Sequence, residues 1–332
     1  MFKSLDEAKD KCRGFLLGTA IGDAMGVPFE GLPPLDNISE EKLFNDFVAL
    51  PDKSSFPPGT TSDDTQFTAL TMLSFHLNDE FDPQHLAELF CREFKRNRTE
   101  GWGLSTLHAI ARMVYNRISW DACAGPIGSA SNGTAMRAGP FGLFPWKSEE
   151  EMIKLTILGA KITHRDPEAC TGAGAIAKAH RYLIECQSFD RDVFCNTIIQ
   201  AIGTYSKKVA NFFDDVFSLN ELYIILEQLS LIGKGPKNSK TGRLGISGYV
   251  LPSVAVSLSI FLYFPRDPCQ ALGQAMLAGG DTDTIESMVG GLIGTLNGAS
   301  IWPDHLATNV QDYENLLVIA DSFAKTCWFK LH

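Results

Sequence analysis

Apolar residues recur every three or four positions along most of the chain, with polar residues between them. This period is that of an amphipathic α-helix rather than of a β-strand, in which apolar residues alternate with polar ones. The clearest example follows Asp281, where one helix face collects Ile285, Met288, Val289, Leu292, Ile293 and Leu296. The pattern therefore predicts an all-α fold.

The most apolar stretch of the chain, residues 250–264, is too short to span a bilayer comfortably. It also contains a proline and several hydroxyl side chains, namely Pro252, Ser253, Ser257 and Ser259. We therefore predict a buried core helix at this point and no association of the protein with a membrane.

Glycines are spaced four residues apart in two of the predicted helices. One series is Gly14, Gly18, Gly22 and Gly26, and the other is Gly290, Gly294 and Gly298. A glycine inside a helix costs about 1 kcal/mol relative to alanine, so its repeated use needs a compensating role. Because glycine has no side chain, it lets a neighbouring backbone come close. We therefore predict two central helices that pack tightly against each other.

Three segments lack the helical period and are predicted to be irregular. Residues 27–61 contain six prolines, and a connection of this length is typically functional, which makes it a candidate lid. Residues 125–145 are rich in Gly, Ser and Asn, and residues 233–245 have the composition of an exposed loop.

Composition and charge narrow the class of protein. The chain has 332 residues, 45% of them hydrophobic and 20% charged, which is enough to bury a large core. A net charge of −10 argues against a nucleic-acid-binding protein, because phosphate contacts need clustered Lys and Arg. The 8 cysteines form no CxxC pair, which excludes a zinc ribbon and a thioredoxin motif and indicates reduced thiols. The polar N-terminus is unlike a secretory signal, so we expect a cytoplasmic protein.

Two acidic clusters stand where helices are predicted to begin: SDDT at 62–65 and GGDTDT at 279–284. Ser62 and Asp281 suit N-cap positions, and a carboxylate suits the positive end of the helix dipole. Capping explains one carboxylate in each cluster but not two. Carboxylate and hydroxyl oxygens are also the ligands of hard cations such as Mg²⁺ and Mn²⁺. The clusters are therefore either two capped helices or two halves of one site for a pair of divalent ions. The candidate ligands are Ser62, Asp63, Asp64, Asp281, Asp283 and Thr284.

Two further carboxylates lie in and after the first glycine-rich helix. Asp23 stands among small residues, and Glu30 lies just past the helix, where a carboxylate can act as a gate or a general base. The alternative is that Asp23 bonds to nearby donors and Glu30 is solvated. The residues alone leave both interpretations open.

A Gly-rich segment and a histidine are candidates for substrate contacts. The segment GPIGSASNGTAMRAGP at 125–140 can present backbone N–H groups and the hydroxyls of Ser129 and Ser131 to an anion. His164 lies in THRDP, but neither the DFG nor the GxGxxG of a protein kinase accompanies this HRD. The kinase interpretation therefore fails, and we predict a hydrogen-bonded histidine in the core or in a pocket.

Six motifs in order along nearly the whole chain resemble those of the ADP-ribosylglycohydrolase family, typified by dinitrogenase reductase-activating glycohydrolase and the ADP-ribosyl-acceptor hydrolases. They are GFLLGTAIGDAMGVPFEG, TTSDDTQ, SASNGTAMRAGP, ITHRDPEA, LGISGYVLPSVAVSL and AGGDTDTIESMVGGLIGTLNG. The SDDT and GGDTDT motifs are specific as a pair. The resemblance implies a single domain over residues 1–332, a compact orthogonal helical bundle with a binuclear metal site at helix N-termini. The ions it implies are two Mg²⁺, with Mn²⁺ as the alternative.

The resemblance also assigns roles to individual residues. It makes metal ligands of the six candidates named above and places the pyrophosphate, the ribose and the rest of ADP-ribose near Gly128, Ser129, Ser131, Asn132 and His164. For proton transfer we expect either Glu30 or Asp64, and the sequence leaves that choice open. The chain departs from the family pattern at Ser62, where threonine is usual, and at Ser131 and Thr134, where glycine is usual. A serine keeps the hydroxyl, so we expect metal binding to survive.

The activity implied is the hydrolytic removal of ADP-ribose from a modified acceptor. Arginine on a protein is the first expectation for that acceptor, and serine-linked or small ADP-ribose conjugates remain open. The expected partner is thus an ADP-ribosylated protein or small conjugate, bound by a monomer without nucleic acid or membrane. Two rivals remain: an inactive relative that binds ADP-ribose, and a two-metal phosphatase or nucleotide hydrolase.

Overall fold

The computed structural model describes residues 1–35, 39–48 and 57–332. Within these ranges the regular structure consists of α-helices and short 3₁₀ turns, without a β-strand. The helices are α1 (Leu5–Gly26), α2 (Glu40–Phe44), α3 (Asp63–Asn78), α4 (Pro83–Lys95), α5 (Leu104–Asn116), α6 (Gly139–Leu143), α7 (Glu149–Ala160), α8 (Pro167–Glu185), α9 (Arg191–Gly203), α10 (Lys207–Phe217), α11 (Leu222–Ser230), α12 (Val250–Tyr263), α13 (Pro268–Ala278), α14 (Thr282–Asn297), α15 (Asp304–Ala307) and α16 (Tyr313–Leu331). The all-α prediction is confirmed.

Helices α1 and α14 form the centre of the bundle and pack backbone against backbone. A Cβ added to Gly14 would lie 2.5 Å from the carbonyl oxygen of Gly294, and one added to Gly18 would overlap the carbonyl oxygen of Gly290. Both helices are buried along most of their length. The glycine spacing therefore predicted this helix pair correctly.

Helix α12 packs against α14 and is buried from Val250 to Leu262. Its serines bond within the core, as when the Ser257 hydroxyl donates to the carbonyl oxygen of Ser253 at 2.9 Å. The predicted core helix is confirmed. None of the described helices combines the length and hydrophobicity that crossing a membrane requires.

The three segments predicted to be irregular are only partly so. Within 27–61, residues 27–29 form a 3₁₀ turn and 40–44 form α2, while 36–38 and 49–56 lie outside the described residues, as does that part of the candidate lid. The prediction for 125–145 is wrong at α6, where Pro140 in the first turn favours a helix and Phe141 is buried. Residues 233–245 form an exposed loop, as predicted.

Three helix ends converge at one point of the bundle. Helix α3 begins after its N-cap Ser62, and α14 begins after Asp281. The C-terminal end of α1 lies against α14, where the Thr282 hydroxyl donates to the carbonyl oxygen of Gly26 at 2.9 Å. A Cβ on Gly26 would lie 2.5 Å from the backbone nitrogen of Asp283. This close approach brings both acidic clusters to the same place.

Candidate metal centre

Two groups of carboxylates meet where the three helix ends converge. Asp23, Asp64 and Asp283 form one group, and Glu30, Asp281 and Asp283 form the other. Within each group the carboxylate oxygens lie within 4.8 Å of one another. Glu30 is exposed and Asp281 is half-buried, whereas the other three are buried. The shared Asp283 joins the groups into one cluster that is open to solvent on the Glu30 side.

Asp64 is held at the middle of this cluster by three hydroxyls. Its Oδ2 accepts hydrogen bonds from Ser62 Oγ at 3.2 Å and from Thr284 Oγ1 at 3.3 Å. Its Oδ1 accepts one from Ser287 Oγ at 2.8 Å. The structure thus brings the predicted ligands Ser62, Asp64 and Thr284 together. The role of Ser287 was not predicted, because Ser287 and Asp64 are 223 residues apart in the chain and meet only in the folded structure.

Asp23 fixes the start of α3 through hydrogen bonds to its first residues. Its carboxylate accepts hydrogen bonds from the backbone N–H of Ser62 at 2.9 and 3.0 Å, from the N–H of Thr65 at 3.0 Å and from Thr65 Oγ1 at 2.6 Å. One of the two interpretations of Asp23 is therefore confirmed, since it bonds to nearby donors. Asp23 also belongs to the first carboxylate group, a position the sequence analysis did not assign to it.

The two remaining predicted ligands, Asp281 and Asp63, differ in their contacts with the cluster. Asp281 is the N-cap residue of α14, as predicted, but its side chain makes no capping hydrogen bond. Its Oδ2 instead accepts a hydrogen bond of 2.5 Å from Asn132 Nδ2. Asp63 belongs to neither carboxylate group among the described residues. Its Oδ1 lies beside the Gly101 backbone, where an added Cβ would come within 2.7 Å.

Burial and mutual repulsion dominate the electrostatics of the cluster. Burial raises the pKa of Asp63, Asp64 and Asp283 well above the ordinary value, and the neighbouring carboxylates raise it further. Burial also raises the pKa of Asp23 to about 6, although four hydrogen bonds oppose the shift. Asp281 is shifted in the same direction by burial.

A divalent cation fits this arrangement. Buried carboxylates crowded together are stable as anions only when a positive charge compensates them. The donors in the cluster are all carboxylate and hydroxyl oxygens, which hard cations such as Mg²⁺ and Mn²⁺ prefer, and no His or Cys belongs to either carboxylate group of the described chain. The residues present therefore suit an oxygen-liganded metal rather than zinc in a thiolate site.

The loop 128–132 lies directly beside the cluster. Asn132 reaches Asp281 through the hydrogen bond given above, and its backbone N–H donates to the carbonyl oxygen of Gly248 at 3.0 Å. The Ser129 hydroxyl lies 2.5 Å from that of Ser105. The N–H of Gly128 donates to Asp166 Oδ2 at 2.8 Å, so this N–H already has a partner within the protein. Among the predicted substrate residues, Asn132 contacts the predicted metal site directly, and Gly128, Ser129 and Ser131 belong to the same loop.

His164 is buried behind this loop and bonds to it. Its Nε2 lies 2.6 Å from Ser131 Oγ, and its Nδ1 lies 2.8 Å from Thr163 Oγ1. Arg137 Nη2, which can only donate, gives a hydrogen bond of 2.7 Å to the same Thr163 oxygen. Burial lowers the pKa of His164 to about 3, so the ring is neutral. The predicted pocket histidine is thus confirmed as a buried, hydrogen-bonded one.

The contacts of His164 tie Ser131 to Thr163 and Arg137, so the position of the Ser131 side chain is fixed from within the protein.

Comparisons with known proteins identify the family of this chain and several relatives. The family described as ADP-ribosylglycohydrolase matches residues 4–330. The chain is 24% identical to ADP-ribosylhydrolase ARH3 of Gallus gallus, covering 93% of this chain and 91% of that protein. It is 23% identical to ADP-ribosylarginine hydrolase Tri1 of Serratia proteamaculans, covering 95% of this chain and 79% of that protein.

A solved structure of a related protein has a similar fold. A chain of an ADP-ribosylglycohydrolase-related protein complex superposes with a TM-score of 0.69 at 22% identity, covering 97% of this chain and 99% of that chain. The family match spans almost all of the sequence and includes both acidic motifs. The chain belongs to the ADP-ribosylglycohydrolase family and is a hydrolase of glycosidic bonds to ADP-ribose.

Proposed function

We propose that this protein is a Mg²⁺-dependent hydrolase that removes ADP-ribose from ADP-ribosyl-arginine on proteins. The observation that carries the proposal is the pair of carboxylate groups that share Asp283 at the joined ends of three helices. A cluster of this kind, next to a loop with anion-binding groups, suits a substrate that combines a ribose with a pyrophosphate. Residues 1–332 are proposed to act as a single domain, because one hydrophobic cluster includes residues of both the first helix, α1, and the last helix, α16.

Two divalent ions, Mg²⁺ or alternatively Mn²⁺, are proposed to be held by the oxygens of the two motifs. The ligands are Ser62, Asp63, Asp64, Asp281, Asp283 and Thr284. When bound, the ions would supply positive charge that orients the distal ribose through its hydroxyls and activates the attacking water. The protein itself supplies the fixed orientation of Asp64, whose two oxygens are set by three hydroxyl donors.

ADP-ribose is proposed to lie along the loop 128–132. Ser129 and Ser131 donate hydroxyl protons toward the phosphates, and Asn132 links this loop to Asp281. His164 fixes the position of Ser131 through the contact of 2.6 Å between Nε2 and Oγ. A net-negative protein can bind a dianionic pyrophosphate in this way, because local donors rather than overall charge meet the phosphates.

Glu30 is the better of the two proposed proton-transfer groups. Asp64 is buried, and both of its oxygens accept hydrogen bonds from hydroxyls. Glu30 is exposed at the open side of the cluster, and one of its oxygens lies within 4.8 Å of oxygens of Asp281 and Asp283. A group that exchanges protons with water and the leaving acceptor must reach both. The exposed position of Glu30 therefore supports Glu30 over Asp64 as the proposed group.

Arginine is the proposed acceptor, on two grounds. A guanidinium is cationic or becomes so on departure, and the open side of the cluster presents carboxylates to it. The Serratia relative is named for ADP-ribosylarginine, whereas the name ADP-ribosylhydrolase ARH3 states no acceptor. Serine-linked and small conjugates are therefore the alternatives that an experiment must separate.

The test compares matched peptides that carry ADP-ribose on arginine or on serine, incubated with the purified protein in Mg²⁺ or in EDTA, with products identified by mass. We expect release of intact ADP-ribose from the arginine peptide at a rate at least tenfold above that from the serine peptide. Faster release from serine would overturn the arginine assignment. Binding of ADP-ribose without release from either peptide would point to an inactive relative, and release of AMP or phosphate to a phosphatase.

A further inference from the structure

Among the described residues, the buried lysine and arginine side chains are Arg137, Lys178 and Arg181. Lys178 forms an ion pair with Glu149, and Arg181 forms one with Glu185. Arg137 is only 3% exposed, yet it takes part in none of the ion pairs of the described chain. A buried cation without an ion-pair partner costs free energy, so its place in the structure needs a physical reason.

Two phenyl rings and two oxygen atoms hold the Arg137 guanidinium. Its central carbon lies over the rings of Phe67 and Phe90, at 5.6 and 5.4 Å from their centroids. Its Nη1 donates to the carbonyl oxygen of Gly133, and its Nη2 donates to Thr163 Oγ1 at 2.7 Å. The aromatic faces compensate part of the cost of burying the charge. The two hydrogen bonds fix the direction of the guanidinium.

These contacts connect Arg137 to both ends of the segment 131–133. The bond to the carbonyl oxygen of its last residue is direct. At the other end, Thr163 Oγ1 lies 2.8 Å from Nδ1 of His164, whose Nε2 lies 2.6 Å from the hydroxyl of the first residue. The middle residue, Asn132, is the one that reaches the acidic cluster. Arg137 therefore holds in place the part of the loop that joins the cluster.

The charge of Arg137 acts on the cluster and on the loop. Asp63 begins α3 four residues before Phe67, so the two side chains lie on the same face of that helix. Burial lowers the pKa of Arg137 to about 10, and the negative charge of Asp63 opposes this shift. On the loop side, Arg137 adds to the effect of burial in lowering the pKa of His164. Charges in a buried region are weakly screened, so both effects reach beyond direct contact.

We propose that Arg137 is a positioning residue for ADP-ribose, which holds the segment 131–133 in place and supplies part of the positive field that the pyrophosphate meets at the loop 128–132. The proposal rests on the proposed function, in which ADP-ribose lies along that loop. It goes further, because it assigns a role in binding to a buried side chain behind the loop.

The sign of the charge separates this role from a merely structural one. A positive charge near the acidic cluster repels a cation bound there and attracts an anion bound at the loop. Removal of the Arg137 charge should therefore strengthen the binding of Mg²⁺ and weaken the binding of ADP-ribose. A general loosening of the site would weaken both.

The experiment compares three variants with the wild type. Arg137→Met removes the charge and both hydrogen bonds, whereas Arg137→Lys keeps the charge. The matched control is Arg181→Met, which removes another buried charge, one whose partners Glu185 and Phe144 lie outside the cluster. Isothermal titration calorimetry measures the affinity of each protein for Mg²⁺ alone and for ADP-ribose in saturating Mg²⁺.

We expect Arg137→Met to bind ADP-ribose about tenfold more weakly than the wild type and to bind Mg²⁺ about threefold more tightly. Arg137→Lys should keep the Mg²⁺ affinity of the wild type, and Arg181→Met should keep both affinities. The proposal is overturned by an unchanged ADP-ribose affinity of Arg137→Met or by weaker Mg²⁺ binding in that variant. It is also overturned when Arg137→Lys binds Mg²⁺ as tightly as Arg137→Met.

Thr163→Val decides the matter in case circular dichroism shows that Arg137→Met does not fold. This substitution keeps the Arg137 charge and the shape of the side chain, but it removes the hydroxyl between Arg137 and His164. We expect it to weaken ADP-ribose binding about threefold, the value of one hydrogen bond, and to leave Mg²⁺ binding unchanged. An ADP-ribose affinity equal to that of the wild type would reject the role of Arg137.

A failure of the proposed function is recognised separately. In that event the wild type binds ADP-ribose but releases none from the arginine-linked or the serine-linked peptide, and the binding measurements still decide on Arg137. Absence of ADP-ribose binding by the wild type rejects the role of Arg137 itself.

Discussion

Gly14→Ala tests the packing on which the whole site depends. A Cβ at residue 14 would lie 2.5 Å from both the Gly294 oxygen and the Gly298 carbonyl carbon, whereas ordinary contacts begin at 3.4 Å. The helices α1 and α14 must therefore separate by about 0.9 Å, the difference between those two distances, and backbone atoms cannot rotate away. Overpacking of this kind costs about 3 kcal/mol, and the higher helix propensity of alanine returns about 1 kcal/mol. The expected net loss is about 2 kcal/mol.

The matched control is Gly174→Ala in α8. There the nearest atom to an added Cβ is Ile153 Cγ2 at 3.6 Å, an ordinary contact, so we expect a gain of up to about 1 kcal/mol. The unfolding entropy of a chain of 332 residues follows from about 2.1 cal/mol/K per residue. With that entropy, the loss of about 2 kcal/mol in Gly14→Ala should lower the melting temperature by about 3 °C. Scanning calorimetry of both variants in EDTA measures this. A Gly14→Ala protein that melts at or above the wild type would refute the backbone packing described here.

Three further predictions concern the cluster, the core and the loop. Asp283→Asn should lose Mg²⁺-dependent turnover. At pH 8 in EDTA the variant should melt at a higher temperature than the wild type, because it removes a buried carboxylate that its neighbours repel. A lower melting temperature of the variant in EDTA would contradict this. Burial lowers the pKa of His180 to about 3, so the folded state binds fewer protons than the unfolded state. The neutral His180 stabilises the folded state fully above pH 6.5, and this stabilisation is lost by about 1.4 kcal/mol per pH unit as the pH falls. Urea unfolding at pH 5.5 and 4.5 should show a smaller change of the unfolding free energy with pH in His180→Asn than in the wild type. An equal change in both proteins would count against a neutral His180. Ser131→Ala should weaken ADP-ribose binding about tenfold, the value of one hydrogen bond to a charged group, in isothermal titration calorimetry, and an affinity equal to that of the wild type would show that Ser131 makes no such bond.

The sequence predicted those parts of the fold that follow from local spacing. The glycine series identified α1 and α14 because a close helix contact needs small residues at regular positions on both partners. The helical period identified α12 because a fully apolar helix has to be buried. Helix α6 was missed, since its five residues are too few to show a period and the surrounding Gly, Ser and Asn residues are typical of loops.

The candidate site was predictable only as far as its motifs. SDDT and GGDTDT named the carboxylates, but nothing local shows that Asp23, 39 residues before Ser62, accepts the N–H groups at the start of α3. Glu286 is another case: it is fully buried on α14, and neither of its carboxylate oxygens has a hydrogen-bond partner among the described residues. Glu286 follows Asp283 by about one helical turn, and this spacing gave no reason to expect a buried carboxylate without a hydrogen-bond partner. Nothing in the structure explains this feature.

The most direct test of the central claim follows one reaction, the release of ADP-ribose from an arginine-linked peptide, in a Mg²⁺ titration of the wild type and of Asp283→Asn. Mass spectrometry identifies the product, and circular dichroism verifies that the variant is folded. The account predicts intact ADP-ribose from the wild type, at a rate that rises with Mg²⁺ and vanishes in EDTA, and background release from the variant. Equal rates in EDTA and Mg²⁺, or turnover by Asp283→Asn at the rate of the wild type, would contradict it.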